Sequence, residues 1–213
     1  MKNSLTIAST LLFCSFGFGQ IVGVAVEKMN VLYKGINNPL TISVESHSCK
    51  EIVIKTSNGV VTGSNGKYNF LPKDSAGKSA ETELYIGIKS GSVVKWIDTI
   101  KFRVKRVPDP MPTIANISGG LISKAVLIAA ACIIPTLQNF DFDLSFVITS
   151  FTMTMNVKGD LIEKNAFGNK FTADMIAMIN AAAKGTKIYF ENIKATCPDG
   201  ATRSLSSINL KLL

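Results

Sequence analysis

Three prolines within five residues, Pro108, Pro110 and Pro112, follow directly on the alternating stretch KFRVKRV at 101–107. Phe102, Val104 and Val107 form the apolar side of that stretch, and Lys101, Arg103 and Lys105 the polar side. Proline has no amide proton to give a β ladder, so a strand that runs into this segment ends there. The sequence on either side differs in kind, short strands before and longer elements with helix formers after. The prolines therefore read as a stiff, extended joint between two domains.

Of the 213 residues, 46% are hydrophobic and 18% charged, a balance that buries a core and argues against disorder. The net charge of +8 favours acidic partners: an acidic protein face, anionic lipid headgroups or nucleic acid. The first residues decide among them. Lys2 gives a positive start, 5–18 is apolar apart from small hydroxyl residues, and Gly17 and Gly19 sit at minus three and minus one of a cut before Gln20. This is the pattern of a signal peptide over 1–19. Its apolar run is shorter than the roughly 20 residues that span a bilayer. Cys14 follows Leu12 and Phe13, where a lipidation site wants small residues. Removing 1–19 takes only Lys2 from the charge, leaving +8 less 1, or +7. The expected location is the periplasm, with secretion or a cell-surface position as alternatives, and export leaves nucleic acid out as a partner.

Cys49, Cys132 and Cys197 remain after cleavage, an odd number without CxxC spacing, so the chain carries no zinc pattern and no disulfide framework. Cys132 lies among apolar helix formers and reads as a buried thiol. Cys49 and Cys197 fall on opposite sides of the prolines, and no structural disulfide is expected.

The first half predicts strands over 22–27, 31–33, 40–45, 52–56, 67–71, 82–89 and 93–107, separated by turn signals at 34–39, 57–59, 63–66 and 89–91. Leu84, Ile86 and Ile88 alternate cleanly. The alternation repeats from Trp96 to Val104, with a polar set of Lys95, Asp98, Lys101 and Arg103 in looser phase. Seven strands at this spacing predict an immunoglobulin-like β-sandwich over 20–107, without the cysteine and tryptophan signature of true immunoglobulins.

Beyond the joint at 108–113, residues 114–213 predict a smaller α+β domain. At 121–134 the first residues read as a strand and the alanine-rich remainder as a helix from Ser123, although β-branched Val126, Ile128, Ile133 and Ile134 leave a strand open. From Phe140 to Lys158 one long strand is expected. Phe140, Phe142, Leu144, Phe146 and Ile148 occupy even positions, whereas Phe151, Met153, Met155 and Val157 occupy odd ones. The change of parity places a β-bulge near Thr149 and Ser150. Strands at 160–166 and 187–196, a helix over 171–184 with Thr172 as N-cap and Met175, Ile176 and Ile179 buried, a turn at 198–200 and a closing strand at 203–212 complete the reading. The fold class is thus mainly β, a sandwich followed by an α+β domain in an elongated tandem.

Catalytic chemistry is sparse. His47 is the only histidine and sits in the polar run 45–49 beside Cys49, too few ligands for a metal and no pocket for a thiolate. Asp141 and Asp143 share one outward face about 7 Å apart by strand rise, and with no third acid nearby they read as a solvated face rather than a hydrolytic pair. Thr152 and Thr154 read as outward strand residues. Lys101, Arg103, Lys105 and Arg106 form a basic patch that reads as a solvated sheet face. Ser118, Gly119 and Gly120 lack the lysine of a phosphate loop. No catalytic, cofactor-binding or metal-binding residues are assigned, and no cofactor is expected.

The motifs KMNVLYKGINNP at 28–39, FRVK at 102–105, VPDP at 107–110, FDFD at 140–143, and PDG at 198–200 with Arg203 and Leu205 together resemble, in order and over nearly all of the chain after residue 19, the C-terminal periplasmic region of the GldM/PorM proteins of Bacteroidetes gliding motility and type IX secretion. The resemblance implies a non-catalytic, dimeric, rod-like periplasmic protein whose tandem β domains face a ring of protein partners associated with the outer membrane. The family's membrane anchor and membrane-proximal domains have no counterpart in these residues, where a signal peptide is expected instead. The rival expectations are an exported surface-binding module unrelated to secretion and, less favoured, a hydrolase using Asp141 and Asp143.

Overall fold

The computed structural model describes residues 29–73 and 80–213; the expected cleavage point after Gly19 and the expected strand at 22–27 lie outside the described residues. Among the described residues, seven strands precede the prolines: β1 (Val31–Tyr33), β2 (Asn38–Thr41), β3 (Ile52–Thr56), β4 (Val60–Ser64), β5 (Lys67–Leu71), β6 (Ala80–Ser90) and β7 (Val93–Lys105). They form a four-stranded sheet, β1-β7-β6-β3, and a three-stranded sheet, β2-β5-β4. β1 runs parallel to β7, and the other pairs are antiparallel. Leu32, Ile52, Leu84, Ile86 and Ile88 of the first sheet close on Tyr68 and Phe70 of the second. This is a two-sheet sandwich, built by the period-two alternation of each strand. β4 is a strand the sequence does not announce, since VVTGS has no alternation. The β6–β7 hairpin turns on Gly91 and Ser92; Gly91 has φ +59, as the first position of a type II′ turn requires.

Trp96 departs from expectation. β6 and β7 lose register between Ile86 and Gly87, where Ile86 faces Asp98 but Gly87 faces Trp96. The extra residue on β7 is Ile97, and it reverses the parity. Ile100 and Phe102 therefore point into the sandwich while Trp96 lies on its outer face, 48% exposed. The looser phase of the polar set has the same cause.

After β7 the chain enters a ladder again sooner than three prolines suggest. β8 (Met111–Thr113) pairs antiparallel with β10 (Ile134–Thr136), and Pro112 stands opposite Pro135, so neither missing amide interrupts a bond that a non-proline pair would need at that position. Between them come β9 (Gly119–Ile122) and α1 (Lys124–Ala130). Ser123 is the N-cap of α1 and accepts from the Val126 amide, which resolves the open reading of 121–134 into strand, helix and strand.

The second sheet system contains β11 (Val147–Val157), β12 (Asp160–Phe167), β13 (Lys187–Thr196), β14 (Thr202–Ser204) and β15 (Ile208–Leu212), in the order β12-β11-β13-β15-β9 with β14 also on β13. The closing strand expected at 203–212 is thus two strands. α2 (Ala173–Ala181) begins at its N-cap Thr172, which accepts from the Met175 amide, and buries Met175 and Ile179. It stops short of the expected 184. Lys124 of α1 donates to the Asn180 and Ala182 carbonyls at 2.9 and 2.7 Å, tying the two helices together and placing a cation at the C-terminus of α2. Both helices cover the inner face of the sheet, where Phe151, Phe171 and Phe190 meet with centroids 5.0–6.0 Å apart.

The expected bulge is present. β11 shifts register against β13 between Ile148 and Ser150 and again between Ser150 and Thr152. β13 changes parity with it: Ile188 and Phe190 are buried on one side of Asn192, Ile193 and Ala195 on the other, and Asn192 has φ +51. The two strands bend as a pair. Thr152 and Thr154 do lie on the face opposite Phe151 and Met153, but they are buried, because Asn165 and Glu191 of the flanking strands take their hydroxyl protons at 2.8 and 3.2 Å.

The start of the long strand is corrected. The ladder begins at Val147, and Phe140 to Phe146 is irregular chain, with a bend at Phe142 and no ladder partners among the described residues. Val31–Leu213 form one compact unit. Among the described residues no helix is long and apolar enough to cross a membrane.

Candidate functional site

The most heavily built polar site lies where the proline segment, the turn at 198–200 and the turn between the first two strands of the sandwich converge. Arg203, on β14, is only 7% exposed. Its Nη1 donates to the Val107 carbonyl at 2.7 Å and to Asp109 Oδ1 at 2.9 Å, and its Nη2 donates to Asp199 Oδ2 at 2.5 Å. Asp109 Oδ2 in turn accepts from Arg106 at 2.9 Å. One guanidinium thus binds a backbone carbonyl and two carboxylates, a use of its planar fork that lysine could not reproduce.

Each partner is set by local sequence. The turn at 198–200 closes with the Gly200 amide on the Cys197 carbonyl, Gly200 having φ +77, and Asp199 Oδ1 accepts from the Ala201 amide at 3.1 Å. That fixes the Asp199 carboxylate toward Arg203. Opposite it stands the turn after β1. Asn38, 3% exposed, accepts from the Tyr33 amide at 2.8 Å and directs its Nδ2 to the carbonyls of Tyr33, Ile36 and Phe70 at 2.8, 3.0 and 3.1 Å. The turn so held presents Gly35, with φ +77, against Asp199. A Cβ at Gly35 would lie 2.3 Å from the Asp199 Cβ, a distance no pair of side chains adopts.

Burial alone would raise the Asp199 carboxyl, but the Ala201 amide, the bond to Arg203 and the positive charges of Arg203 and Lys34 outweigh it, and the group sits below the ordinary carboxylate value. Burial likewise disfavours charge on Arg203, yet its bonds to Asp109 and Asp199 hold the guanidinium more firmly protonated than usual. Burial also pushes the neighbouring Cys197 thiol up, more than the Arg203 charge pulls it down. The site is a lock of satisfied charges, with the chemistry of a structural joint and no activated nucleophile.

A second contact reinforces it. Tyr33 at the end of β1 meets Phe140 and Phe142 edge to face, with centroids 4.9 and 5.6 Å apart. This explains why the segment before β11 finds no ladder: Phe140 and Phe142 turn to Tyr33 of the sandwich, and its odd-numbered residues, Asp141 and Asp143 among them, face solvent. The two aspartates share an exposed side as expected, on irregular chain and not on a strand. His47 and Cys49 are exposed turn residues, and Cys132 is half-buried rather than buried. Of the basic run, Lys101 lies 3.7 Å from Glu83, Arg106 bonds Asp109, and Lys105 is exposed. Ser118 precedes β9, whose first residues are Gly119 and Gly120, and a Cβ on Gly119 would lie 3.2 Å from the Asn209 carbonyl oxygen. Among the described residues no three His, Cys, Asp or Glu side chains are grouped to hold a metal.

Sequence reading registers Arg203 only within a motif resemblance and misses its role. The available signal is an arginine four residues after the turn aspartate, matched by a second aspartate between prolines.

Residues 21–105 match the family described as the GldM third domain, and residues 108–212 match the GldM C-terminal domain. The lock spans the boundary between the two matches. No curated protein matches the chain.

Proposed function

The chain belongs to the GldM family, whose third and C-terminal domains it carries in order, and from this we propose that it is a non-catalytic shaft module of the gliding and type IX secretion machinery. On this reading it works in the periplasm after removal of residues 1–19, as a dimer, with an immunoglobulin-like domain over 20–107 and an α+β domain over 114–213. The C-terminal domain faces protein partners of the outer-membrane-associated ring.

The observation that carries the proposal is the Arg203 lock between the two family matches. A module that passes on position or force needs a joint that does not flex, and here one buried arginine binds both the connecting segment and the last turn. Two features support protein contact at the C-terminal end. Strand β12 is an edge of its sheet, and Phe167, its last residue, is 92% exposed. An unpaired edge with a bare aromatic beside it is the chemistry of a protein interface.

Crosslinking in intact cells followed by affinity capture from the periplasmic fraction tests this reading. Recovery of ring components, lost on Phe167→Ser in a variant that still folds, is the expected result. Accumulation of the protein in the medium, free of any secretion or gliding component, would assign it to an exported binding module instead.

A further inference from the structure

The outer face of the β6–β7 hairpin carries the only tryptophan of the chain. Trp96 stands opposite Gly87, and a Cβ on Gly87 would lie 2.9 Å from both Trp96 Cε3 and Val94 Cγ1. Only glycine lets the indole and the Val94 side chain close over the sheet at this point. Tyr85 meets the indole edge to face at 6.5 Å, and its hydroxyl donates to Glu83 at 2.7 Å. The aromatic pair is held from below and from the side, yet Trp96 stays 48% exposed, with Ile97 exposed beside it. Half-exposed Trp and Tyr rings on a flat support are the side chains that dominate protein interfaces.

The charges around the rings are one-sided. Lys55 faces Tyr85 across the sheet and Lys89 faces Val94, both on the side of the indole; both are exposed, and neither forms an ion pair among the described residues. The neighbouring acids are engaged. Glu83 is taken by Tyr85 and Lys101, Asp98 accepts from the Thr99 amide, and Glu51 from the Ser48 amide. A second copy of this chain is disfavoured here, because both copies carry +8 and a two-fold contact would set these lysines against each other.

We propose that this face docks an acidic segment of a partner protein, with an apolar side chain of the segment seated on the Trp96 indole and its carboxylates met by Lys55 and Lys89. The site lies on the sandwich, apart from β12 and Phe167, so it holds or fails independently of the shaft reading.

Trp96 emission reports on this site alone. The probe is a synthetic 12-residue peptide of Glu and Asp with a central Leu-Phe pair, fluorescently labelled for anisotropy. Controls carry Lys for every acid, or Ser for Leu and Phe. Expected are a saturable shift of Trp96 emission with the acidic peptide only, binding weakened about tenfold by Lys55→Glu with Lys89→Glu, and a similar loss with Trp96→Ser. Trp96→Phe, which keeps a ring on the sheet, retains most of the anisotropy-measured affinity and guards against misfolding as the cause. Equal binding of the basic or the serine control, unchanged affinity in the charge-reversed variant, or no binding at all would overturn the proposal. So would a dimer in sedimentation velocity that Trp96→Ser disperses, which would give the face to a second copy.

Discussion

Arg203 holds a full charge where little water reaches it, and the cost of that burial is offset only while Asp199, Asp109 and the Val107 carbonyl stay in place. Arg203→Ala leaves the Asp199 carboxylate buried without its cation and is expected to lower the unfolding free energy by about 3–5 kcal/mol in chemical denaturation. Adding Asp199→Asn, which keeps an acceptor for the Ala201 amide but removes the charge, recovers part of the loss; strict additivity of the two changes would mean they are not coupled. Gly35 and Gly91 make a matched test of steric cause. Both have positive φ, but Gly35 faces Asp199 whereas nothing lies within 4 Å of a Cβ at Gly91. Gly91→Ala should cost about 1 kcal/mol from backbone strain, and Gly35→Ala about 2–4 kcal/mol because the clash adds to it. Both turns are legible in the sequence as turn chemistry. That Asp199 closes on Gly35 is not, because turn residues report local backbone and carry no information on what approaches from far along the chain.

At the level of elements, alternation proves a reliable sign of which side chains are covered and a poor sign of a ladder. The parity change between Ile148 and Phe151 is a sequence fact, and the bulge sits where it predicts, since a buried face cannot switch sides without an extra residue. The same reasoning extends the strand back to Phe140, wrongly, because Phe140 and Phe142 alternate in order to reach Tyr33 and not to line a sheet. In β7 a bulge at Ile97 is hidden, since Trp96 and Ile100 keep the same parity in sequence while pointing to opposite faces. Phe140→Ser with Phe142→Ser should therefore leave β11 intact and open only the segment before it. The expected signature is faster limited proteolysis within 137–146, with amide exchange of Val147–Val157 unchanged. Loss of protection throughout β11 would show that the segment is part of the strand after all.

For the molecule as a whole, two hydrophobic cores form on either side of the prolines, and what couples them is polar and aromatic rather than a shared apolar core. Near neutral pH the lock and the Tyr33 contact should make them unfold in one calorimetric transition. The coupling has a pH limit whose direction follows from Asp199. Its folded-state pKa lies below the ordinary value, because the Ala201 amide and Arg203 outweigh its burial. A group depressed in this way contributes its full stabilisation above the unfolded value, about 3.9, and loses it as pH falls through the lower folded value. The single transition should thus persist down to about pH 4 and separate into two as the solution is acidified further, the carboxylate taking up a proton and releasing Arg203. In Arg203→Ala the separation should already be present at pH 7, and further acidification should not widen it by this route. A wild-type chain that shows two transitions at neutral pH, or a variant that keeps one, would move the coupling away from this arginine and onto the proline segment itself.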